Sequence, residues 1–218
     1  MKKFEILTLF PEVFPATLGV SIFKKSFKKA WDLKIHDLRK YGVGKNKKVD
    51  DEVFSYLPGM LIRPDVIENA IQAVNFKGRK IFLSPRGAKL TQKKVEELAA
   101  DKNDIMLLCG RYDGVDQRAI DHFDFEELSV GDYIISGGEA AALILMEAII
   151  RKLPGVVGNH DVFLNETFEN NEISEPRFTR PAKWLTYEGK TLEVDSILLS
   201  GDHEKIKKFQ KKQRKKID

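Results

Sequence analysis

A single cysteine, Cys109, in 218 residues leaves nothing for it to pair with inside the chain, so no disulfide supports the fold. Histidine is also scarce, and His36, His122, His160 and His203 lie too far apart in sequence to read as a zinc site. No structural metal is expected. The longest apolar run, around residues 140 to 150, is too short to cross a bilayer, and MKKFEILTLFPEVF at the start has no signal-peptide cleavage pattern. A cytoplasmic protein with no membrane partner is the expectation. Neither G-x-G-x-x-G nor G-x-x-x-x-G-K-[ST] occurs, which argues against a dinucleotide or nucleoside triphosphate held by its phosphates. Internal repeats are missing, as is low-complexity sequence outside one basic tail.

What is present describes a globular chain, 42% hydrophobic and 32% charged, long enough for a core and an appended second domain. Its net charge of +4 is unevenly placed. Residues 205 to 218, KIKKFQKKQRKKID, carry a local charge of +7, which leaves the remainder at −3. Such a block is either a solvated end or a phosphate-binding helix. Ser200-Gly201-Asp202 is a plausible helix start ahead of it, with Ile206, Phe209 and Gln213 as a narrow seam for docking.

Short β-like runs alternate with helical patterns along most of the chain. Strands are expected at Phe4 to Leu9, Lys80 to Ser84, Ile105 to Gly110 and Tyr133 to Ile135, and helices near Val20 to Trp31, Thr91 to Ala100 and onward to Arg151. That alternation predicts an α/β domain with a largely parallel sheet over residues 1–157. Beyond Pro154 the sequence turns polar, so residues 158–172 read as an exposed linker and 173–218 as a small, mostly helical second domain. In VSIFKKSFKKAW, Phe23, Phe27 and Trp31 share one helical face with lysines opposite, a pattern that fits core packing.

IFLSPRG (81–87), LLCGRYDG (107–114) and YIISGGE (133–139) each pass from a strand into a glycine-containing turn. Ligands of open parallel sheets sit outside the carboxyl ends of the strands, and glycine there lets backbone approach them. One pocket for a ligand held by backbone groups is the reading. The helix after Gly138 is apolar nearly all round, which implies burial in the domain or against a second subunit.

LTLFPEVF (7–14), VDDEV (49–53), PGM (58–60), LSPRGAKL (83–90), LCGRYDGVDQR (108–118), SVGDYIISGGE (129–139), LPGVVG (153–158), TRP (179–181) and LLSGDH (198–203) occur in that order. Together they resemble the bacterial tRNA (guanine-N1)-methyltransferase family, TrmD. The resemblance implies a SPOUT-class α/β domain with a trefoil-knotted cofactor site, a helical C-terminal tRNA-binding domain, and a homodimer whose active sites draw on both subunits. It implies methyl transfer from S-adenosyl-L-methionine to N1 of the guanine just 3′ of the anticodon, and it leaves room for Mg2+. N1 must lose a proton and charge then builds on O6, so a carboxylate base and a cation are needed.

By the same resemblance the base falls on Glu166 and the cation on Arg151, against plainer readings as a solvated carboxylate and a helix-end charge. The cofactor is expected against Leu83, Ser84, Pro85 and Arg86, then Gly110, Arg111, Tyr112 and Asp113, then Ser129, Val130, Gly131, Tyr133, Ile135, Gly137 and Gly138. Arg111 and Asp113 orient cofactor or base, or hold a turn. Ser136-Gly137-Gly138 would be small so that backbone reaches the adenosine. The tRNA anticodon arm is expected on Lys45, Lys47, Lys48, Asp50, Arg180, Lys211, Lys212 and Lys215. The chain departs from the family's pattern at Glu166-Thr167-Phe168 (Asp-Ser-Phe in relatives), Asp113 (Glu), Arg86 (Gln), Ala141 (Pro) and Phe54-Ser55-Tyr56-Leu57, where relatives have a Gly-rich tract. Its tail also reads as shorter. An alternative is therefore a member that binds tRNA with impaired or no catalysis.

Overall fold

A computed structural model describes residues 1–56, 58–159, 163, 166–168 and 171–217. The chain forms two compact units, Met1–Gly158 and Asn159–Asp218. The first contains β1 (Lys2–Thr8), α1 (Ser21–Ser26), β2 (Trp31–Asp37), β3 (Asp50–Glu52), β4 (Met60–Ile62), α2 (Pro64–Val74), β5 (Arg79–Lys89), α3 (Gln92–Ala100), β6 (Ile105–Cys109), α4 (Gln117–His122), β7 (Glu126–Ser129) and α5 (Gly138–Ile150).

Five of these strands form one sheet in the order β2-β1-β6-β5-β7, every pairing parallel. All five residues of the central β6 are buried. The sheet is covered on both faces, so its middle strand reads as a continuous apolar run instead of an alternating one. The two-residue period still sorts the side chains. Ile105 and Leu107 join the layer that includes Val95 of α3 and Leu145 and Met146 of α5. Met106 and Leu108 join Val66 and Ile67 of α2 and Ala119 and Ile120 of α4 on the other face.

Local chemistry sets the helix starts. Thr91 caps α3 by accepting a hydrogen bond from Lys94 N at 3.2 Å, and Asp116 caps α4 by accepting one from Arg118 N at 3.0 Å. Four features differ from the sequence expectation. The helix expected to reach Trp31 stops at Ser26, because Lys28 turns the chain back with φ 61° and Trp31 opens β2. Trp31 is core, as expected, but from a strand; its Nε1 donates to Phe23 O at 3.1 Å. The strand expected at Tyr133 to Ile135 is a loop. The edge place beside β5 is taken by β7, and Tyr133, Ile134 and Ile135 are exposed. Helices α2 and α4 and strand β2 were not expected from the sequence.

The second unit contains β8 (Glu172–Ile173), β9 (Lys183–Leu185), β10 (Thr191–Glu193), α6 (Ser196–Leu199), α7 (His203–Gln213) and β11 (Lys215–Lys216). It is less helical than expected: β9 and β10 form an antiparallel hairpin, and β8 pairs antiparallel with β11. Glu172, read as linker, already belongs to β8. The expected start of the basic helix is where it was placed, with Asp202 accepting from Lys205 N at 3.1 Å. Ile206 and Phe209 are half-buried and Gln213 is exposed. Arg214 is the one basic tail residue committed inward, donating to Glu175 at 3.0 Å, which ties the end of the tail to the segment after β8.

Candidate ligand cavity and charged site

A cavity of about 450 Å³ opens in the first unit outside the carboxyl ends of β5, β6 and β7. Three segments wall it. Residues 84–87 leave the ladder where the β5–β7 register shifts between Leu83 and Ala88. Residues 110–115 follow β6, with Tyr112 at φ 57° and Gly114 at φ 124° reversing the chain. Residues 129–138 lead into α5. Every residue named for the cofactor lines this cavity except Arg111. The sequence reading missed Leu61, Val115, Gln117 and Glu127, which also line it. Leu61 arrives on the β3–β4 hairpin and Gln117 on α4, and neither belongs to a glycine-bearing strand end.

Arg111 points elsewhere. Its Nε lies 2.9 Å from Glu139 Oε2 without the angle of a hydrogen bond, so the contact is an ion pair. Its Nη1 donates to Ser136 O at 3.4 Å, and its guanidinium lies 4.3 Å from the centre of the Phe10 ring. Glu139 is 2% exposed and accepts a second contact, a 2.7 Å hydrogen bond from Thr8 Oγ1. The pair thus holds the first turn of α5, the end of β1 and the 129–138 loop together.

This arrangement gives the glycines of SGGE a reason other than reach to a ligand. A Cβ on Gly138 would lie 2.8 Å from Cys109 Cα and 2.9 Å from Gly110 N, where Gly138 N donates to Gly110 O at 2.9 Å. A Cβ on Gly137 would overlap the Arg111 guanidinium. The helix start packs directly on the end of β6, and only glycine permits that approach.

Asp113 lines the cavity and is also a clamp: its Oδ2 accepts a hydrogen bond from Met60 N at 2.9 Å, and Asp113 N donates to Met60 O at 3.0 Å. Cys109 lies beneath the cavity, fully buried. Burial first, and then the charge of Glu139, push its thiol well above the ordinary range. Native protein at pH 8 should therefore resist a maleimide that labels it fully in denaturant. Rapid native labelling, read by intact mass, would contradict this packing.

Arg151 is the C-cap of α5 and is half-buried. Glu166 is half-buried in the second unit, next to Thr167, whose Oγ1 meets Ser174 Oγ at 2.7 Å. The neighbouring carboxylates Asp161 and Glu169 lie outside the described residues. Lys45, Lys47 and Lys48 are exposed in the turn between Val43 and Lys48, with Lys48 paired to Asp51 at 2.8 Å; Asp50 sits in β3 opposite Ile62. Arg180, Lys211, Lys212 and Lys215 are exposed in the second unit.

A parallel α/β sheet with a glycine-walled cavity at its strand ends, in which Arg86 is the one lining cation among the described residues, defines a class: an α/β protein with a ligand site outside the carboxyl ends of its strands. The family model described as tRNA (Guanine-1)-methyltransferase TrmD matches residues 1–217. The tRNA (guanine-N(1)-)-methyltransferase of Ehrlichia canis is 44% identical over 206 residues, covering 92% of this chain and 85% of the relative. The enzyme of that name from Rhodospirillum rubrum is 45% identical over 203 residues, covering 92% and 82%. That from Pelagibacter ubique is 41% identical over 219 residues, covering 100% and 93%. The chain belongs to the tRNA (guanine-1)-methyltransferase family and is a methyltransferase. Among the described residues no helix is long and apolar enough to cross a membrane.

Proposed function

We propose that the protein transfers the methyl group of S-adenosyl-L-methionine to N1 of the guanine immediately 3′ of a tRNA anticodon. The observation that carries the reading is the single cavity at the ends of β5, β6 and β7 in a chain matched to the family along nearly its whole length. Its volume of about 450 Å³ suits a nucleoside-sized ligand. Leu61, Val115, Leu128, Ile135 and Ala141 offer apolar walls for a base, and the backbone of 130–137 offers edges for its polar atoms. The near absence of lining cations fits a ligand without phosphates. Bound there, the donor supplies a methyl group activated by its sulfonium.

The chain's own residues do the rest. Glu166 takes the proton from guanine N1, Arg151 steadies the charge that grows on O6, and the Asp113 clamp fixes the hairpin wall of the site. The SPOUT-type knot belongs to this reading and is supported by the close crossing of Gly138 over Cys109 and Gly110. So does a cytoplasmic homodimer with shared sites. On the outer side of α5, Ala140, Ile144 and Glu147 are exposed and Leu143 and Ala148 are half-buried, a largely apolar face suited to a second copy. The second unit binds the anticodon arm, with Arg180, Lys211, Lys212 and Lys215 on phosphates, while Lys45, Lys47 and Lys48 of the first unit add further contacts.

The test is a nucleoside digest of tRNA transcripts incubated with the protein and methyl donor. 1-Methylguanosine should form in a transcript with guanine 3′ of the anticodon and vanish when that base is adenine. Methylation elsewhere would overturn the site assignment. No product from a protein that still binds S-adenosylhomocysteine and tRNA would instead mark a non-catalytic member.

A further inference from the structure

Among the described residues, three buried side-chain polar atoms have no hydrogen-bond partner: Arg111 Nε, Glu139 Oε2 and Glu127 Oε2. The first two face each other as an ion pair at 2.9 Å. Glu127 Oε2 has no such compensation. A buried carboxylate oxygen without a donor costs its desolvation uncompensated, so its place in a native site calls for a reason.

Glu127 lies on β7 opposite Phe82 of β5 and is one of the residues that line the cavity. Its other oxygen accepts a hydrogen bond at 3.2 Å from Gln117 Nε2, which also donates to Asp121 Oδ1 at 2.9 Å. Gln117 lines the cavity too, so the carboxylate is held from α4 and keeps one acceptor in reserve. Among the described residues the one other acidic residue that lines the cavity, Asp113, is engaged with Met60 N.

A nucleoside-type donor brings three kinds of hydrogen-bond donor: the base amine, the ribose hydroxyls and the ammonium of its amino-acid arm. The backbone of 130–137 supplies carbonyls for the base edge. A single carboxylate on an edge strand beside the cavity matches the vicinal hydroxyls, as acidic residues do in nucleotide folds of this layered type. Resting on the cofactor reading above, we infer that Glu127 is a cofactor-binding residue that accepts hydrogen bonds from the ribose hydroxyls.

Calorimetric titration tests this with S-adenosylhomocysteine, with 5′-methylthioadenosine, which lacks the amino-acid arm, and with the 2′,3′-dideoxy form of the latter. Glu127→Gln should weaken the first two ligands alike, by about tenfold or more. Without ligand it should melt no lower than the parent, since it removes a buried oxygen that has no donor. The dideoxy ligand should bind the parent about tenfold more weakly than 5′-methylthioadenosine and lose nothing further in the variant. That ligand comparison uses the unaltered protein, so it stands whether or not the variant folds. Equal binding of the two methylthio ligands to the parent, unchanged affinities in Glu127→Gln, or a loss confined to S-adenosylhomocysteine would each overturn the assignment. A parent that binds none of them would sink the cofactor reading itself.

Discussion

Glu166→Gln should slow single-turnover methyl transfer by roughly a hundredfold to ten-thousandfold while leaving affinity for tRNA and S-adenosylhomocysteine nearly intact. The substitution keeps size and polarity and removes only the capacity to accept the N1 proton. Glu166→Asp, which places there the residue of the family pattern, should retain activity and shows whether the longer side chain costs alignment. Lys211→Gln and Lys212→Gln together should do the reverse, weakening tRNA binding and flattening its salt dependence with the chemical step of the bound complex unchanged. Filter binding beside rapid-quench kinetics separates the patterns. If Glu166→Gln methylates as fast as the parent, the base is another carboxylate, and Asp161 and Glu169 are the ones to change next.

Arg111→Met should markedly destabilise the first unit. It leaves the Glu139 carboxylate, 2% exposed, with Thr8 Oγ1 as its remaining contact. Stranding one member of such a pair costs about 3 kcal/mol, and the 129–138 loop loses the bond to Ser136 O as well. For a chain of this size that loss lowers the melting temperature by roughly 6–12 °C. S-Adenosylhomocysteine should bind more weakly because a wall of its cavity has come loose. Adding Glu139→Gln to Arg111→Met should recover part of the stability, since the stranded charge is gone. A melting temperature within about 2 °C of the parent for Arg111→Met would show that the pair contributes little and that Glu139 is satisfied without it.

The glycine-bearing strand ends were legible because they follow a local rule: a β-like run ending in Gly-containing sequence marks where a parallel sheet admits a ligand. That rule marked 81–87, 107–114 and 133–139, the family resemblance named cofactor residues in and beside them, and the structure gathers every one of those named residues but Arg111 around one cavity. Arg111 does not line it, and sequence could not say so: sequence gives its neighbours along the chain, whereas its side chain pairs with Glu139, whose partner Thr8 lies 131 positions from Glu139. Gln117 and Glu127 escaped notice for a related reason. Neither belongs to a glycine-bearing turn, and their meeting, a 3.2 Å hydrogen bond from Gln117 Nε2 to Glu127, is made by tertiary packing.

Sequence by itself determined the α/β alternation, the capped starts of α3 and α7, the strand at β6 and the family, since these depend on short-range periodicity, capping chemistry and ordered motifs. Only tertiary structure decided that Tyr133 to Ile135 is a cavity wall and not a strand, because β-propensity is realised by an available edge and β7 already occupies the one beside β5. It alone decided that Trp31 enters the core from a strand, that Arg111 serves Glu139 instead of the cavity, and that Gly138 is glycine because the end of β6 lies against it. These are outcomes of contacts between segments far apart in the chain, and such contacts come into being only when the segments pack.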